Sequence, residues 1–167
     1  MGWNIRNPKA HNQPRTATPF GRLKLVKSLD RLLRPKTIAV YGGGWSGNVI
    51  KELKKISFAG EIWAIHPTKK FIEGVKCYRS SFDLPASPDA AFVGVNREKT
   101  ISIIKELAEL NAGGVVSFAS GFSETLADDK SRYGKTLQDK IIAAAGRMPV
   151  LGPNCYGFIN YLDNALI

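Results

Sequence analysis

The sequence lacks several features that would assign it at once to a compartment or a chemistry. No uncharged apolar run approaches the roughly 18 residues of a membrane-spanning helix, and no signal peptide precedes the first apolar segments. Only two cysteines are present, Cys77 and Cys155, and they form no metal-ligand pattern. Neither a disulfide framework nor a metal site is therefore expected, and a reduced, cytoplasmic setting is the default interpretation.

Histidine is equally scarce, with His11 and His66 the two in the chain. No histidine lies near Cys155 in sequence to activate it, so this thiol is not expected to act as a nucleophile. The residues alone give no catalytic group.

Acidic residues are almost absent from the start of the chain. Residues 1–36 carry nine Lys or Arg and one Asp, whereas the remainder carries 15 basic and 13 acidic residues. The net charge of +10 therefore belongs mainly to the leading segment, which argues against a nucleic-acid-binding fold with a basic patch on its structured elements. We predict a flexible basic tail over residues 1–20 and one folded domain over residues 21–167.

A leucine stripe predicts a helix from Arg22 to Leu33, which Pro35 ends. Such a basic helix packs on the edge of a domain or binds an anionic surface.

The stretch from Thr37 to Gly47 is the most informative one. A short apolar run, Ile38 to Tyr41, predicts a strand buried on both faces, and Gly42, Gly44 and Gly47 satisfy G-x-G-x-x-G directly after it. A helical pattern follows at once. A glycine turn between a buried strand and a helix exposes backbone N–H groups to a ligand's phosphates, so this stretch predicts a nucleotide or anion site.

Strands and helices then alternate to the end of the chain. Further strands are predicted at residues 61–65, 89–95, 115–118 and 148–151, with a short one possible at 75–78. Helices are predicted at residues 97–110, with Asn96 as N-cap, and at 129–145, with Gly146 at the C-terminal end. This alternation predicts an α/β fold: a Rossmann-like parallel sheet with helices on both faces.

The loop after the second strand discriminates between nucleotide ligands. NAD-binding folds usually carry Asp or Glu there to hold the ribose diol, whereas this loop reads His66-Pro67-Thr68-Lys69-Lys70. Lysines suit a phosphorylated ribose. On charge alone, both NADP and coenzyme A fit, since coenzyme A carries a 3′-phosphate.

The later loops carry a family resemblance. Residues 30–160 resemble the CoA-binding domain of NDP-forming acyl-CoA synthetases, the superfamily of the succinyl-CoA synthetase α subunit. The resemblance begins at Leu32-Leu-Arg-Pro-Lys-Thr-Ile-Ala-Val and continues through the glycine loop, His66 to Lys69, Val93 to Val95 and Ala119 to Glu124. Its most specific part is Leu151-Gly-Pro-Asn-Cys-Tyr-Gly157. The chain departs from its relatives in a compressed glycine loop and in Asn96, where relatives often carry proline.

The resemblance implies a set of CoA-contacting residues: Gly43, Gly44, Trp45, Ser46, Gly47, Lys69, Val95, Asn96, Arg97, Ser120, Gly121 and Asn154. The glycine loop would meet the nucleotide end, and Lys69 would pair with a phosphate. Ser120, Gly121 and Asn154 would border the thiol end, together with Cys155. Alternatively, Trp45 covers the sheet edge, Lys69 is solvated and Asn96 is only a helix cap.

The resemblance also implies a reaction, in which acid, CoA and ATP give acyl-CoA, ADP and phosphate. The family passes phosphate through a histidine on a later domain and binds ATP and Mg²⁺ on an ATP-grasp unit. Neither His11 nor His66 is that histidine, so we expect this chain alone to supply the CoA site and to be inactive. The alternatives are a stand-alone, non-catalytic CoA-binding module and an NADP-dependent oxidoreductase domain. No nucleic-acid or membrane partner is expected.

Overall fold

The computed structural model describes residues 28–122 and 129–167. The tail predicted at residues 1–20 lies outside the described residues. So does most of the helix predicted from Arg22 to Leu33. Of its described residues, 28–33, helix α1 spans Asp30–Leu33.

The sheet has seven strands in the order β3-β4-β2-β1-β5-β6-β7. Their bounds are β1 Thr37–Gly42, β2 Glu61–Ile65, β3 Phe71–Ile72, β4 Val75–Tyr78, β5 Ala90–Gly94, β6 Val115–Ser117 and β7 Val150–Leu151. All neighbouring strands are parallel except β3 and β4, which form a hairpin. The predicted α/β, Rossmann-like parallel sheet is confirmed.

Helices cover both faces of the sheet, as predicted. Helix α2 (Gly44–Lys55) packs on one face through Val49, Ile50 and Leu53, together with α1. Helices α3 (Arg97–Glu109) and α4 (Asp129–Ala145) pack on the other. The central strand β1 is buried from Ile38 to Tyr41, which explains its continuous apolar run.

The sequence missed the smallest elements. Three strands have only two residues each and are too short to show a periodicity. They are β3 in its hairpin with β4, and the pair β8 (Ile159–Asn160) and β9 (Ala165–Leu166), which form a second hairpin. Strand β7 is shorter than the predicted 148–151, and α2 begins at Gly44, inside the glycine motif rather than after it. The predicted bounds of α4 and the strand at 75–78 are confirmed.

A cluster around Asp89 ties the amino edge of the sheet together. Its carboxylate accepts hydrogen bonds from Arg31 Nε at 2.7 Å and from the backbone N–H groups of Lys36 and Thr37 at 2.9 and 3.2 Å. Arg31 also donates to the backbone oxygen of Asn111. Burial raises the pKa of Asp89, but the bonds from Arg31, Lys36 and Thr37 outweigh it and hold that pKa below its ordinary value.

No helix within residues 28–122 and 129–167 is long and apolar enough to cross a membrane. The same described residues hold no group of three or more His, Cys, Asp or Glu side chains that could bind a metal ion.

Candidate functional site

Two clefts open at the carboxyl edge of the sheet, where the strand order reverses around β1. Strand β2 follows β1 on one side, while β5 lies on the other, and ligands of such sheets bind at this point. The first cleft, of about 410 Å³, lies between the ends of β1, β2 and β4 and helix α3. The second cleft, of about 590 Å³, lies between the ends of β5, β6 and β7. Gly94, Val95 and Asn96 line both, so the clefts meet there.

The glycine loop runs beside this meeting point. Gly42 has a φ of +117°, and a Cβ there would lie 2.4 Å from the carbonyl oxygen of its β5 partner Gly94. A side chain at Gly42 would therefore push β1 and β5 apart. Among the described residues, by contrast, a Cβ at Gly43 or Gly44 would meet no heavy atom within 4 Å. In the same part of the chain no side chain caps the N-terminus of α2, so its first N–H groups carry a partial positive charge without a side-chain acceptor.

The other predicted residues of this loop differ in accessibility. Ser46 is fully buried, and its hydroxyl donates to the backbone oxygen of Tyr41 at 2.8 Å. Gly47 is also buried and faces the Glu73 side chain on the β3–β4 turn. Both hold α2 against the sheet. Trp45 is 54% exposed, and its ring lies 5.1 Å from that of Phe118, which lines the second cleft.

The loop after β2 closes the mouth of the first cleft. His66 Nδ1 accepts the backbone N–H groups of Thr68 and Lys69 at 3.2 and 3.1 Å, which folds the loop back on itself. Burial first, and then the charges of Lys69 and Arg79, lower the pKa of His66, which favours the neutral ring that this acceptor role requires. The Lys69 side chain is exposed and does not line the first cleft, although it follows His66 and Pro67, which do. Arg79, which lines the cleft, donates to the backbone oxygen of Pro67.

Three polar side chains form a hydrogen-bonded chain at the wall of the first cleft. The Tyr41 hydroxyl bonds to Ser81 Oγ at 3.0 Å, and Ser81 Oγ donates to Glu106 Oε2 at 2.5 Å. Tyr41 and Ser81 are buried, whereas Glu106 is half-buried on α3. Burial raises the pKa of Tyr41 far above its ordinary value.

The residues after β5 belong to both clefts and to α3. Asn96 is the N-cap, since its side chain accepts the backbone N–H of Lys99 at 2.9 Å. The predicted cap is confirmed, and the amide also lines the clefts. Arg97 reaches across the second cleft and donates to the backbone oxygen of Gly121 at 3.0 Å. Val95 lines both clefts and contacts the core.

Backbone hydrogen bonds hold the far wall of the second cleft. Asn154, in the left-handed region with a φ of +56°, donates its N–H to Ala119, and Cys155 donates its own to Ser117. A Cβ at Gly152 would lie 2.5 Å from the Ser117 carbonyl oxygen. The loop with Gly152, Asn154 and Cys155 is thus held against the segment that carries Ser120 and Gly121, and all but Gly152 line the second cleft.

The structure therefore brings most predicted residues to one edge. Val95, Asn96, Arg97, Ser120, Gly121 and Asn154 line the second cleft, and Gly43 lines the first. Gly44 and Trp45 lie at the start of α2 beside them, while Ser46 and Gly47 point into the protein. Sequence reasoning missed the cleft residues Tyr41, Arg79, Ser81, Lys99 and Glu106, which lie on four different elements and loops and share no local motif.

Comparison with known proteins places residues 36–161 within a family described as a CoA binding domain. A trans-feruloyl-CoA synthase from an unknown prokaryotic organism is 32% identical over 82% of this chain and 20% of its own length. ADP-forming acetate–CoA ligase I of Archaeoglobus fulgidus is 32% identical over 79% of this chain and 19% of its own. The α subunit of ADP-forming acetate–CoA ligase II of Pyrococcus furiosus is 31% identical, and the match covers 29% of it.

Among solved structures, the chain is similar to dinucleotide-forming acetyl-coenzyme A synthetase 1 of Ca. Korarchaeum cryptofilum. The apo form superposes with a TM-score of 0.74 at 27% identity, covering 82% of this chain and 30% of that one. The form in complex with phosphate and ADP gives the same values. The chain thus spans about a fifth of the length of the first two curated relatives and under a third of the solved one.

Proposed function

Because the chain belongs to the CoA-binding domain family, we propose that it supplies the CoA site of an ADP-forming acyl-CoA synthetase. In that reaction an acid, CoA and ATP give acyl-CoA, ADP and phosphate. The relatives named above as ADP-forming acetate–CoA ligases support this class of reaction. ATP and Mg²⁺ would bind to other domains or subunits of the enzyme.

The continuity of the two clefts is the observation that carries the proposal. CoA is a long molecule with a nucleotide at one end and a thiol at the other, so it needs two connected compartments. The clefts meet at Gly94, Val95 and Asn96, with the glycine loop beside them. In the proposed complex the adenosine lies in the first cleft and the pantetheine arm crosses to the second. The pyrophosphate lies against Gly43 and Gly44 at the start of α2, where no side chain of the described residues caps the helix.

The residues that line the two clefts support this orientation of CoA. Arg79 and Lys99 line the first cleft, and Lys69 is exposed in the loop that follows the cleft residues His66 and Pro67, so all three are candidates for contact with the 3′-phosphate. The second cleft is lined by Phe118, Ser120, Asn154 and Tyr156, a mixture that can contact amides and methylenes of a pantetheine arm. The first cleft is lined by Arg79 and Lys99 together with the carboxylate of Glu106, whereas in the second cleft Arg97 is paired with Glu98. The first cleft is therefore the more cationic end and suits the phosphates of the nucleotide.

This chain's own residues would bind and orient CoA rather than carry out phosphoryl transfer. The chain has two histidines, and His66 is used as an acceptor for its own loop. We therefore expect the 167-residue chain, incubated with ATP, CoA and short-chain acids, to form no acyl-CoA and no phosphohistidine. Turnover by this chain alone would contradict the proposed division of the reaction.

Calorimetric titration with CoA, dephospho-CoA, NADP and NAD tests the site directly. We expect CoA to bind most tightly and dephospho-CoA more weakly, because the lysines near the first cleft lose their phosphate partner. NADP carries a phosphate near its adenosine too and is the stringent competitor. Tighter binding of NADP than of CoA would overturn the proposal in favour of an oxidoreductase domain.

A further inference from the structure

Helix α3 lines the first cleft with a different type of side chain at each depth. Lys99, Ile103 and Glu106 line the cleft at spacings of four and three residues, so they share one face of the helix. Lys99 lies in the first turn, next to the carboxyl edge of the sheet, and Glu106 lies about 10 Å further in. From the mouth inward, the wall therefore presents a cation, an apolar side chain and a carboxylate.

The carboxylate is held in one orientation from behind. The Tyr41 hydroxyl is a hydrogen-bond donor, and burial, which raises its pKa above the ordinary value, keeps it protonated. Its hydroxyl bonds to Ser81 Oγ, which leaves the Ser81 hydrogen for Glu106 Oε2. Within residues 28–122 and 129–167, Glu106 Oε1 has no hydrogen-bond partner. One oxygen is thus fixed by the protein, and the other is an acceptor in a residue that lines the cleft.

The sides of the cleft suit a flat aromatic ring. Ile65 at the end of β2, Val95 after β5 and Ile103 on α3 are its aliphatic lining residues. An adenine ring between aliphatic side chains presents its polar edge to the surrounding wall. That edge carries the exocyclic N6 amino group, a hydrogen-bond donor, which is the chemical complement of an unpaired carboxylate oxygen.

We propose that Glu106 reads the base of the bound nucleotide, with Oε1 accepting a hydrogen bond from adenine N6. This inference rests on the proposed function, because it takes CoA as the ligand of the first cleft. Hypoxanthine carries a carbonyl oxygen, O6, in place of the amino group. O6 and Glu106 Oε1 are both acceptors, so no hydrogen bond can form between them. The first cleft should therefore select adenine over hypoxanthine, and Ser81 should act as a positioning residue for that selection.

The test compares CoA with its hypoxanthine analogue, prepared by deamination, in calorimetric titrations of the 167-residue chain. We expect wild-type protein to bind CoA at least about tenfold more tightly than the analogue, the effect of one hydrogen bond to a charged group. Glu106→Gln should remove most of this preference, because a carboxamide can turn its NH₂ toward O6. Ser81→Ala should reduce the preference less, since it frees the carboxylate without neutralising it.

Glu109→Gln is the matched control, because Glu109 lies on the same helix, is exposed and pairs with Lys105 rather than lining the first cleft. It should keep the wild-type preference. Circular dichroism on each variant checks folding, and the wild-type comparison stands without any variant. If wild type binds CoA and its hypoxanthine analogue equally, or if Glu106→Gln keeps the preference for CoA, then Glu106 does not recognise the base. Either result would leave the proposed CoA site intact. Failure of CoA to bind at all would overturn the proposed function itself, and this inference with it.

Discussion

The two edges of the sheet are built in different ways. At the amino edge, the Asp89 carboxylate accepts from Arg31 and from two backbone N–H groups, and joins segments far apart in sequence. At the carboxyl edge, glycines and loops surround two clefts, and side chains such as Lys69 and Trp45 are exposed. At the first edge the polar groups are paired with one another, whereas at the second edge some, such as the Lys69 ammonium, are exposed to a ligand and others, such as the Arg97 guanidinium, pair with loop backbone.

This difference separates stability from recognition. Hydrogen bonds that are completed within the protein stabilise the fold, whereas an open donor or acceptor gains its partner only when a ligand binds. Substitutions at the amino edge should therefore change the free energy of unfolding, and substitutions at the carboxyl edge should change the affinity for CoA. Four experiments test that separation, in order of decreasing effect.

Asp89→Ala should have the largest effect. It leaves Arg31 Nε and the backbone N–H groups of Lys36 and Thr37 without their acceptor, and should lower the free energy of unfolding by about 2–3 kcal/mol, measured by urea denaturation. The control is Glu52→Ala, which removes an exposed ion pair with Lys55 and should cost under about 0.5 kcal/mol. CoA affinity of folded Asp89→Ala should stay at the wild-type value; a specific loss of affinity would break the separation of the two edges.

Lys69→Ala should weaken CoA binding by roughly tenfold, the size of one partly exposed contact to a phosphate, with little change in stability. Dephospho-CoA should bind wild type more weakly and be nearly indifferent to the substitution. Lys70→Ala, an exposed neighbour, is the matched control. Equal losses of affinity for CoA and dephospho-CoA, measured by calorimetry, would show that Lys69 does not contact the 3′-phosphate. Arg79, which lines the cleft, would then be the next residue to test.

Gly44→Ala should affect stability and CoA affinity in different ways at a single position. A Cβ there meets no heavy atom of the described residues within 4 Å, and alanine is the better helix former, so stability should be unchanged or rise by about 0.5–1 kcal/mol. CoA binding should weaken, because the methyl group occupies the side from which the pyrophosphate would approach the N-terminus of α2. Unchanged affinity would place the pyrophosphate elsewhere.

The smallest expected effect comes from the pH response of the loop after β2. The pKa of His66 is lowered in the folded protein, so its contribution to stability is present above the ordinary value of about 6.5 and is lost as pH falls through the folded value. His66→Asn keeps a side-chain acceptor for the loop and does not titrate. Between pH 7.5 and 5, the thermal midpoint of wild type should fall slightly more than that of the variant. A His66 pKa above 6.5 by NMR would contradict this.

Local patterns in the sequence predicted the elements that position the site. The buried run of β1 and the Asn96 cap each depend on neighbouring residues, and the structure confirms them as a strand and a helix start. Of the glycines after β1, Gly43 precedes α2, whereas Gly44 and Gly47 lie within that helix. The 3.6-residue pattern likewise gave α4 its observed bounds, Asp129–Ala145.

The inner part of the first cleft could not be predicted in this way. Tyr41, Ser81 and Glu106 are separated by 40 and 25 residues and meet only once the sheet order is known. Ser46 shows the opposite difficulty: its place in the glycine motif suggests a ligand contact, yet its hydroxyl turns inward to Tyr41. Ser46 lies three and four residues before Val49 and Ile50 and so shares their buried face of α2, but the sequence pattern put the start of the helix after Ser46.

The packing of Trp45 against Phe118 has an optical consequence. Trp45 is half exposed and lies on the rim of the second cleft, whereas Trp63 is buried in β2, with its indole Nε1 donating to Glu61. Indole emission shifts in wavelength and intensity with the polarity around the ring. In a Trp3→Phe variant, which leaves Trp45 and Trp63, a molecule that enters the second cleft and displaces water from Trp45 should therefore alter the red-shifted part of the fluorescence spectrum and leave the contribution of Trp63 constant. The protein thus contains an intrinsic fluorophore that reports occupancy of the second cleft without any added dye.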